Sequence, residues 1–236
     1  MSFVEFKNVS LDYPLISSNS ETMKKLILSK LSFGLLKNDS QIKRVSALKN
    51  INLTISQGEK VGIIGANGSG KTTLLRMISS VFNPSHGVVN IHGSISSLID
   101  LISGANLDAS GIDNIRIRLI LMGYSKNEIN NVIDDIVSFS ELGEFIYLPC
   151  KAYSTGMLLR LFFSIMTSIK SDIILLDEWM SVGDSEFEKK AQKRLRSYLV
   201  DNSIFIMASH NIQLIESMCN RVITLDKGKI ISDKKM

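Results

Sequence analysis

The sequence contains few of the features that mark secreted, disulfide-bonded or membrane-spanning proteins. Its 236 residues include three prolines, one tryptophan and two cysteines, Cys150 and Cys219. The two cysteines lack the spacing of metal ligands, which favours a reduced cytosolic protein but leaves a single disulfide between them open. The most apolar stretch, residues 157–163, is too short to cross a bilayer and carries Arg160 in its middle. We therefore expect any membrane role to be peripheral and to depend on a partner.

The sequence also shows neither a strong net charge nor the pattern of a secretory signal. The formal net charge at pH 7 is only +4, so we expect no nucleic-acid partner. Residues 1–7 alternate apolar and polar side chains as a strand does, which a signal peptide would not do. Six basic and two acidic residues lie between positions 21 and 44. This segment alone accounts for the net charge, so the rest of the chain is close to neutral.

A phosphate-binding loop is present. Residues 65–72, Gly-Ala-Asn-Gly-Ser-Gly-Lys-Thr, fit the pattern G-x-x-x-x-G-K-[ST] at every defined position. A buried-strand pattern precedes the loop, and an apolar-faced helix pattern follows it, so that the positive helix N-terminus points at the anion. Lys71 can neutralise the β- and γ-phosphates, and the Thr72 hydroxyl is the expected Mg²⁺ ligand. The residues predicted to hold a nucleoside triphosphate are Gly65, Ala66, Asn67, Gly68, Ser69, Gly70, Lys71, Thr72 and Thr73.

The order of the predicted elements indicates an α/β fold for residues 1–236 as one domain. Strand patterns occur at residues 3–7, 47–56, 60–64, 87–91, 94–99, 172–176, 204–208, 222–225 and 229–231. Helix patterns occur at residues 72–78, 113–122, 128–139, 156–169 and 185–199. This alternation around a phosphate loop predicts a P-loop NTPase core with a mainly parallel sheet and an antiparallel β subdomain. The strand-poor stretch at about 103–168 predicts an inserted α-helical subdomain.

An acidic pair follows a strand that is apolar throughout. Asp177 and Glu178 come directly after Ile-Ile-Leu-Leu, a pattern typical of a central parallel strand buried on both faces. Ligands of such sheets bind at the carboxyl ends of the strands. We therefore predict that Asp177 holds Mg²⁺, directly or through water, and that Glu178 polarises the water that attacks the γ-phosphate. Without the phosphate loop, the pair would be interpreted as an ordinary polar strand end.

Ser154 and Gly156 open the predicted helix at 156–169, within the segment Tyr-Ser-Thr-Gly-Met. A hydroxyl and close-approach N–H groups at a helix start can form a second anion site. An ordinary serine cap gives the same spacing, so both interpretations stay open on the residues alone.

Taken in order, these motifs make the chain resemble the ATP-binding subunits of ABC transporters, essentially from end to end. The family signature, Leu-Ser-Gly-Gly-Gln followed three residues on by Arg, corresponds here to residues 153–157 and Arg160. The form Tyr-Ser-x-Gly-Met is similar to the branch that exports capsule, O-antigen and teichoic-acid polysaccharides. Residues 181–184, Ser-Val-Gly-Asp, resemble that branch's D-loop, which crosses the dimer interface.

The resemblance implies roles for two further residues. His210, in Ala-Ser-His, corresponds to the switch histidine that reaches the γ-phosphate, and with Glu178 it completes the predicted catalytic pair. As a lone residue it would be interpreted as a histidine satisfied at a strand end. Tyr13 corresponds to the aromatic residue that stacks on adenine, although a tyrosine near a strand end usually serves packing.

The chain departs from the general family at two places. The glutamine that approaches Mg²⁺ in relatives has no clear counterpart, and Asp100 stands at its position as a candidate metal ligand. The polysaccharide-export branch tends to carry an acid there. The second departure is the insert at 14–46, which is either a short amphipathic helix near the channel mouth or a surface extension.

The resemblance thus implies the ATP-hydrolysing subunit of a transporter that exports a lipid-linked polysaccharide. It implies ATP and Mg²⁺ as cofactors, and a head-to-tail homodimer in which the phosphate loop of one copy faces Ser154 and Gly156 of the other. Integral-membrane permease subunits would hold it at the cytoplasmic face of the cell membrane. The alternatives are another ABC exporter, a soluble ABC ATPase acting on DNA or ribosomes, and a P-loop kinase. A kinase would have no use for the signature or for His210.

Overall fold

The computed structural model of the chain describes residues 1–14, 44–177, 185–199 and 203–236. Glu178, the segment at 181–184 and residues 15–43 of the predicted insert lie outside the described residues. The strands are β1 (Phe3–Pro14), β2 (Arg44–Ser56), β3 (Lys60–Ile64), β4 (His86–His92), β5 (Ile95–Leu98), β6 (Ile173–Asp177), β7 (Ile204–Ala208), β8 (Arg221–Asp226) and β9 (Lys229–Lys235). The helices are α1 (Lys71–Ile78), α2 (Gly111–Leu121), α3 (Lys126–Ser140), α4 (Thr155–Met166), α5 (Ser185–Tyr198) and α6 (Ile212–Met218), with 3₁₀ turns at Gly143–Tyr147 and Cys150–Ala152.

Among the described residues, six strands form the central sheet, in the order β5-β6-β7-β3-β8-β9. The first five are parallel, and β9 pairs antiparallel with β8 at one edge. Along β6, Ile173 and Leu175 contact one hydrophobic cluster, whereas Ile174 and Leu176 contact the other. Both faces of this strand are therefore covered, which explains its unbroken apolar sequence. The prediction of a mainly parallel, helix-covered sheet is confirmed.

The antiparallel part is a separate three-stranded sheet in the order β2-β1-β4. β1 is longer than predicted because its apolar alternation changes phase in the middle. Val4 and Phe6 are buried before the change, and Val9 and Leu11 after it. Asn8, with φ of 51°, lies at the register shift between the two halves, as in a β-bulge. The predicted strand therefore ended at residue 7, because the strict alternation of apolar and polar residues breaks down at Asn8.

Helices α2, α3 and α4 follow one another between β5 and β6, in the stretch for which the sequence predicts an inserted α-helical subdomain. The predicted starts of α2 and α3 are two residues late. The hydroxyl of Ser110 accepts the N–H of Asp113 at the start of α2, and Ser125 and Glu128 form a capping box at the start of α3. Helices begin directly after such caps, which can precede the first apolar residue of the helical period.

α5 packs its apolar face on the helical part of the chain. Phe187, Ala191 and Leu195 recur every four residues and are buried, as the period of a helix requires. Lys190 and Arg194 lie over the ring of Phe139 in α3, with their charged groups 4.6 and 4.1 Å from its centroid. The cationic face of α5 is thus partly used in a cation–π contact and is not only a solvated surface.

α6 was absent from the sequence prediction. It spans seven residues, and Asn211 caps it by accepting the N–H of Leu214 at 3.1 Å. Only Ile215 and Met218 of this helix are buried. Two buried positions in two turns give too weak a period to predict a helix from the sequence.

Both cysteines are buried and free, so the disulfide that the sequence left open does not form. The side-chain amide of Asn114 lies 3.3 Å from the sulfur of Cys150. Burial raises the pKa of the Cys150 thiol and raises the pKa of Cys219 to about 12. Across the four described ranges, no helix has the length and apolarity needed to span a membrane.

Candidate functional site

The phosphate loop connects β3 to α1, and its tip is open to solvent. Ala66, Asn67 and Gly68 are exposed, and the N–H of Ser69 closes the tip by donating to the carbonyl of Ala66 at 3.1 Å. Lys71 is buried, and its ammonium donates to the carbonyls of Gly65 at 2.8 Å and of Ala66 at 3.2 Å. The loop thus surrounds the ammonium of its own lysine with backbone carbonyls.

Ser69 provides evidence that the loop fits a phosphate group. The residue is 3% exposed, and its hydroxyl is buried without a hydrogen-bond partner in the described part of the chain. A buried polar group without a partner is costly and calls for an explanation, such as a ligand. A Cβ at Gly65 would lie 2.6 Å from this hydroxyl and 2.2 Å from the carbonyl of Leu225. Only glycine therefore fits at this position of the loop.

The α1 end of the loop supplies the remaining predicted contacts. Lys71 is the first residue of α1, and Gly70 precedes it with φ of 108°. The N–H of Leu74 donates to the carbonyl of Gly70 at 2.9 Å, which starts the helix. Thr72 and Thr73 lie in the first turn and are half-buried. The positive end of α1 therefore faces the loop, an arrangement suited to anions.

Three chain segments meet at the carboxyl edge of the central sheet. β7 lies between β6 and β3, with Ala208 in register with Asp177 on one side and with Ile63 on the other. The phosphate loop leaves β3 at this edge, Asp177 ends β6, and Ser209 follows β7. The N–H of Ser209 donates to the carbonyl of Ile63 at 3.2 Å. The structure thus brings Asp177 and the start of the His210 segment to the side of the sheet where the loop begins.

His210 is exposed at this edge, directly before the cap of α6. Ser209 is buried, and its hydroxyl accepts the N–H of Asn211 at 3.1 Å. This short turn directs the chain from β7 into α6 and leaves the imidazole at the surface of the sheet edge.

Asp100 follows β5 on the far side of β6 and pairs with a residue of α1. Its carboxylate lies 2.5 Å from the guanidinium of Arg76. The backbone of Asp100 has φ of 50° and its carbonyl accepts the N–H of Ser103 at 2.8 Å, which makes a tight turn. The predicted metal ligand is therefore held near the helix of the phosphate loop by an exposed ion pair.

Tyr13 lies inside β1, opposite Val45, and not after the strand as the sequence suggested. Its ring meets the ring of Phe82 edge to face, with centroids 5.6 Å apart. The tyrosine is half-buried, so it stays partly accessible to solvent while it packs against Phe82. Stacking on adenine stays a prediction.

Ser154 caps α4, as the simpler of the two interpretations predicts. Its hydroxyl accepts the N–H of Met157 at 3.2 Å, and the residue is exposed. α4 belongs to the hydrophobic cluster on the opposite face of the sheet from α1. Within the described residues, no hydrogen bond joins Ser154 to the phosphate loop of the same chain. The cap leaves the first turn of α4, including the half-buried Gly156, accessible from outside.

One contact of the phosphate loop was missed from the sequence. The N–H of Gly228, in the β8–β9 turn, donates to the carbonyl of Ser69 at 2.9 Å. Asp-Lys-Gly-Lys between two strand patterns is a hairpin signal, but nothing in the sequence indicates what the hairpin touches.

Comparison with known proteins agrees with this geometry. The family model described as ABC transporter matches residues 48–181. The O-antigen export system ATP-binding protein RfbE of Yersinia enterocolitica is 36% identical over 234 residues, which cover 99% of this chain and 98% of that protein. The teichoic acids export ATP-binding protein TagH of Staphylococcus epidermidis is 34% identical over 227 residues, which cover 96% and 82%. A solved dimeric ATP-binding cassette, in a post-hydrolysis state with ADP and Pi, has a TM-score of 0.74, 22% identity and 98% coverage of each chain, and so shares the fold.

Proposed function

This chain belongs to the ABC transporter family, and we propose that it is the ATP-hydrolysing subunit of an exporter of a lipid-linked polysaccharide. The observation that carries the proposal is the 36% identity, over almost the full length of both chains, to an O-antigen export ATP-binding protein. The relative that serves teichoic acid export supports the same substrate class, since both names refer to cell-surface polysaccharides.

ATP is the substrate that the phosphate loop supports. Lys71 would exchange its two carbonyl acceptors for phosphate oxygens, and the hydroxyl of Ser69 would gain the partner that it lacks. The N–H groups at the start of α1 add to the positive potential. Tyr13 would cover the adenine, with Phe82 supporting its ring from the edge.

Mg²⁺ fits the donors at the carboxyl edge. When bound with the triphosphate, it neutralises charge on the phosphate oxygens during phosphoryl transfer. The Thr72 hydroxyl and the Asp177 carboxylate are the hard oxygen donors that Mg²⁺ prefers, and the register of β6, β7 and β3 supports their meeting at one edge. We assign Asp100 as a third candidate ligand, which Arg76 holds at the same edge.

Hydrolysis needs a base, and we assign it to Glu178. The residue directly follows Asp177, so the chain leaves β6 at the edge where the triphosphate would lie. A carboxylate there can accept a proton from the attacking water. His210 follows the neighbouring strand β7 and is the candidate that senses the γ-phosphate.

We propose that two copies associate head to tail. In each of two sites, the accessible first turn of α4, with Ser154 and Gly156, would complete the anion surface opposite the partner's phosphate loop. Its exposure and its separation from the loop of the same chain support this arrangement. The dimer would then close when the γ-phosphate is present and reopen after hydrolysis, which biases a membrane partner between two states.

The chain would act at the cytoplasmic face of the cell membrane, held there by integral-membrane permease subunits. The test is deletion of its gene in the organism that encodes it, followed by extraction of surface and cell-associated polysaccharide. We expect surface polysaccharide to be lost, lipid-linked polysaccharide to accumulate inside the cell, and the wild-type chain but not the Glu178→Gln variant to restore export. Unchanged surface polysaccharide after deletion would contradict the proposed substrate class.

A further inference from the structure

Gly228 connects both sheets to the phosphate loop. Its N–H donates to the carbonyl of Ser69 at 2.9 Å, and its own carbonyl accepts the N–H of Lys49 at 2.8 Å. Lys49 lies in β2 of the antiparallel sheet, and Gly228 lies between β8 and β9 of the central sheet. A single residue therefore bridges the two sheets at the base of the loop.

The turn that presents Gly228 has a tightly defined geometry. Asp226 pairs with Lys229 across the hairpin, which leaves Lys227 and Gly228 as the two central residues. Their φ angles are 44° and 80°. Positive φ at both central residues is the requirement of a type I′ turn, the turn that matches the twist of a two-residue hairpin. The turn thus determines the direction in which the N–H of Gly228 points.

The space around Gly228 excludes any side chain. A Cβ built there would lie 2.6 Å from the carbonyl oxygen of Ala47 and 3.0 Å from its carbonyl carbon. The same carbonyl oxygen lies 2.9 Å from the position that a Cβ would take at Gly70. The carbonyl of Ala47 therefore packs between the hairpin tip and the phosphate loop. Because these contacts are backbone, they cannot be relieved by rotating a side chain.

We propose that Gly228 is a positioning residue for nucleotide binding, acting through the carbonyl of Ser69. This inference rests on the proposed function, in which the phosphate loop binds ATP. The carbonyl of Ser69 and its buried, unpartnered hydroxyl share one Cα. A displacement of the hairpin tip redirects that hydroxyl and the loop N–H groups together, without changing any residue that contacts the phosphates.

The test is Gly228→Ala, with ATP affinity measured by calorimetry and with the steady-state kinetics of ATP hydrolysis. We expect the dissociation constant and KM for ATP to rise by about 10- to 100-fold, the scale of losing one hydrogen bond to a charged phosphate group. We expect kcat at saturating ATP to fall much less, because the proposed catalytic residues Glu178 and His210 are unchanged. A general loss of structure would not produce this split between KM and kcat.

Two glycine variants provide matched controls. Gly87→Ala introduces the same kind of conflict in the antiparallel sheet, since φ is 84° and a Cβ would lie 2.4 Å from the carbonyl oxygen of Asn8. Gly123→Ala, with φ of 89° and no atom within 4 Å of the added Cβ, measures backbone strain alone. We expect both to lower the unfolding temperature and to leave ATP affinity at the wild-type value.

Wild-type ATP affinity in Gly228→Ala, or an equal loss of affinity in Gly87→Ala, would overturn the inference. Failure of the wild-type chain to bind ATP would instead refute the proposed function. If Gly228→Ala does not fold, amide hydrogen exchange of the wild-type chain replaces it. We then expect ATP to slow exchange at the amide of Gly228 and not at the amide of Gly87, and an unchanged rate at Gly228 would overturn the inference.

Discussion

Arg76 and Asp100 form an ion pair, with Nη2 of Arg76 2.5 Å from Oδ2 of Asp100. Arg76 lies in α1, the helix that begins with Lys71, and Asp100 follows β5 at the carboxyl edge of the central sheet. The side chains are 36% and 57% exposed, so we expect the pair to contribute no more than about 1 kcal/mol to stability. Its importance would lie in placing a carboxylate beside the nucleotide site.

The roles of Arg76 and Asp100 can be distinguished by the Mg²⁺ dependence of ATP hydrolysis in two variants. Asp100→Asn removes a candidate ligand, whereas Arg76→Gln removes only its partner. We expect Asp100→Asn to raise the Mg²⁺ concentration for half-maximal ATP hydrolysis, and Arg76→Gln, which keeps the carboxylate but no longer holds it in place, to raise it less. Identical Mg²⁺ dependence in Asp100→Asn and the wild-type chain would remove Asp100 from the proposed ligands.

Lys71→Met should weaken ATP binding without preventing folding. The ammonium of Lys71 is buried and donates to two carbonyls of the loop, and it is the charge that the phosphates would meet. We expect the dissociation constant for ATP to rise at least about 10-fold, since a charge-assisted hydrogen bond contributes about 1.5–3 kcal/mol. The control is Lys193→Met, on the exposed face of α5. If Lys71→Met bound ATP as tightly as this control does, the proposed role of Lys71 would be contradicted.

Neither cysteine should react with a thiol reagent in the native protein. Cys150 and Cys219 are buried, and burial raises the pKa of both thiols, that of Cys219 to about 12. The thiolate is the reactive form, so at pH 8 we expect almost no labelling by dithiobisnitrobenzoate and two labelled thiols after denaturation. Rapid labelling of the folded chain would show that one of these sites opens readily.

The loss of stability in acid should depend in part on the contact between Ser94 and Asp172. The backbone N–H of Ser94, and then its hydroxyl, donate to this carboxylate and lower the pKa of Asp172. A group with a lowered pKa contributes stability above its unfolded value of about 3.9, and that stability is lost as the pH falls through the folded pKa.

We therefore expect Ser94→Ala, which removes the hydroxyl and keeps the backbone N–H, to lower stability most near pH 7 and progressively less as the pH falls through the folded pKa of Asp172. The control is Ser217→Ala, which removes a hydroxyl that donates to the neutral carbonyl of Leu214. We expect this variant to change stability equally at pH 3 and at pH 7. The measurement is urea unfolding across pH 3–7, and equal pH dependence in the two variants would be evidence against this contact.

Local sequence patterns predicted the strands and helices whose formation depends on residues that are neighbours in the chain. Four apolar residues followed by Asp177 predict a central strand with an acid at its carboxyl end, and the structure has that strand as β6. Asn8 shows where such patterns fail, because an irregular residue shifts the alternation and hides the second half of β1. Short helices such as α6 are missed for a related reason, since they bury too few residues to produce a period.

Long-range contacts at the site were beyond the reach of any local pattern. Gly228 and Ser69 meet through backbone groups, which leave no signature in the choice of side chains apart from the glycine itself. The ion pair of Arg76 and Asp100 depends likewise on how α1 lies against the central sheet. The sequence predicts which residues carry the chemistry, whereas the structure identifies what holds them in place.

Glu178→Gln tests the central claim most directly, because it keeps the shape of the side chain and removes only its ability to accept a proton. We predict that the variant binds ATP as tightly as the wild-type chain and forms a dimer in ATP but not in ADP, measured by light scattering. We predict that its hydrolysis rate falls by about 10²- to 10⁴-fold, the usual contribution of a general base. Hydrolysis at the wild-type rate would contradict the assignment of Glu178 and, with it, the proposed mechanism.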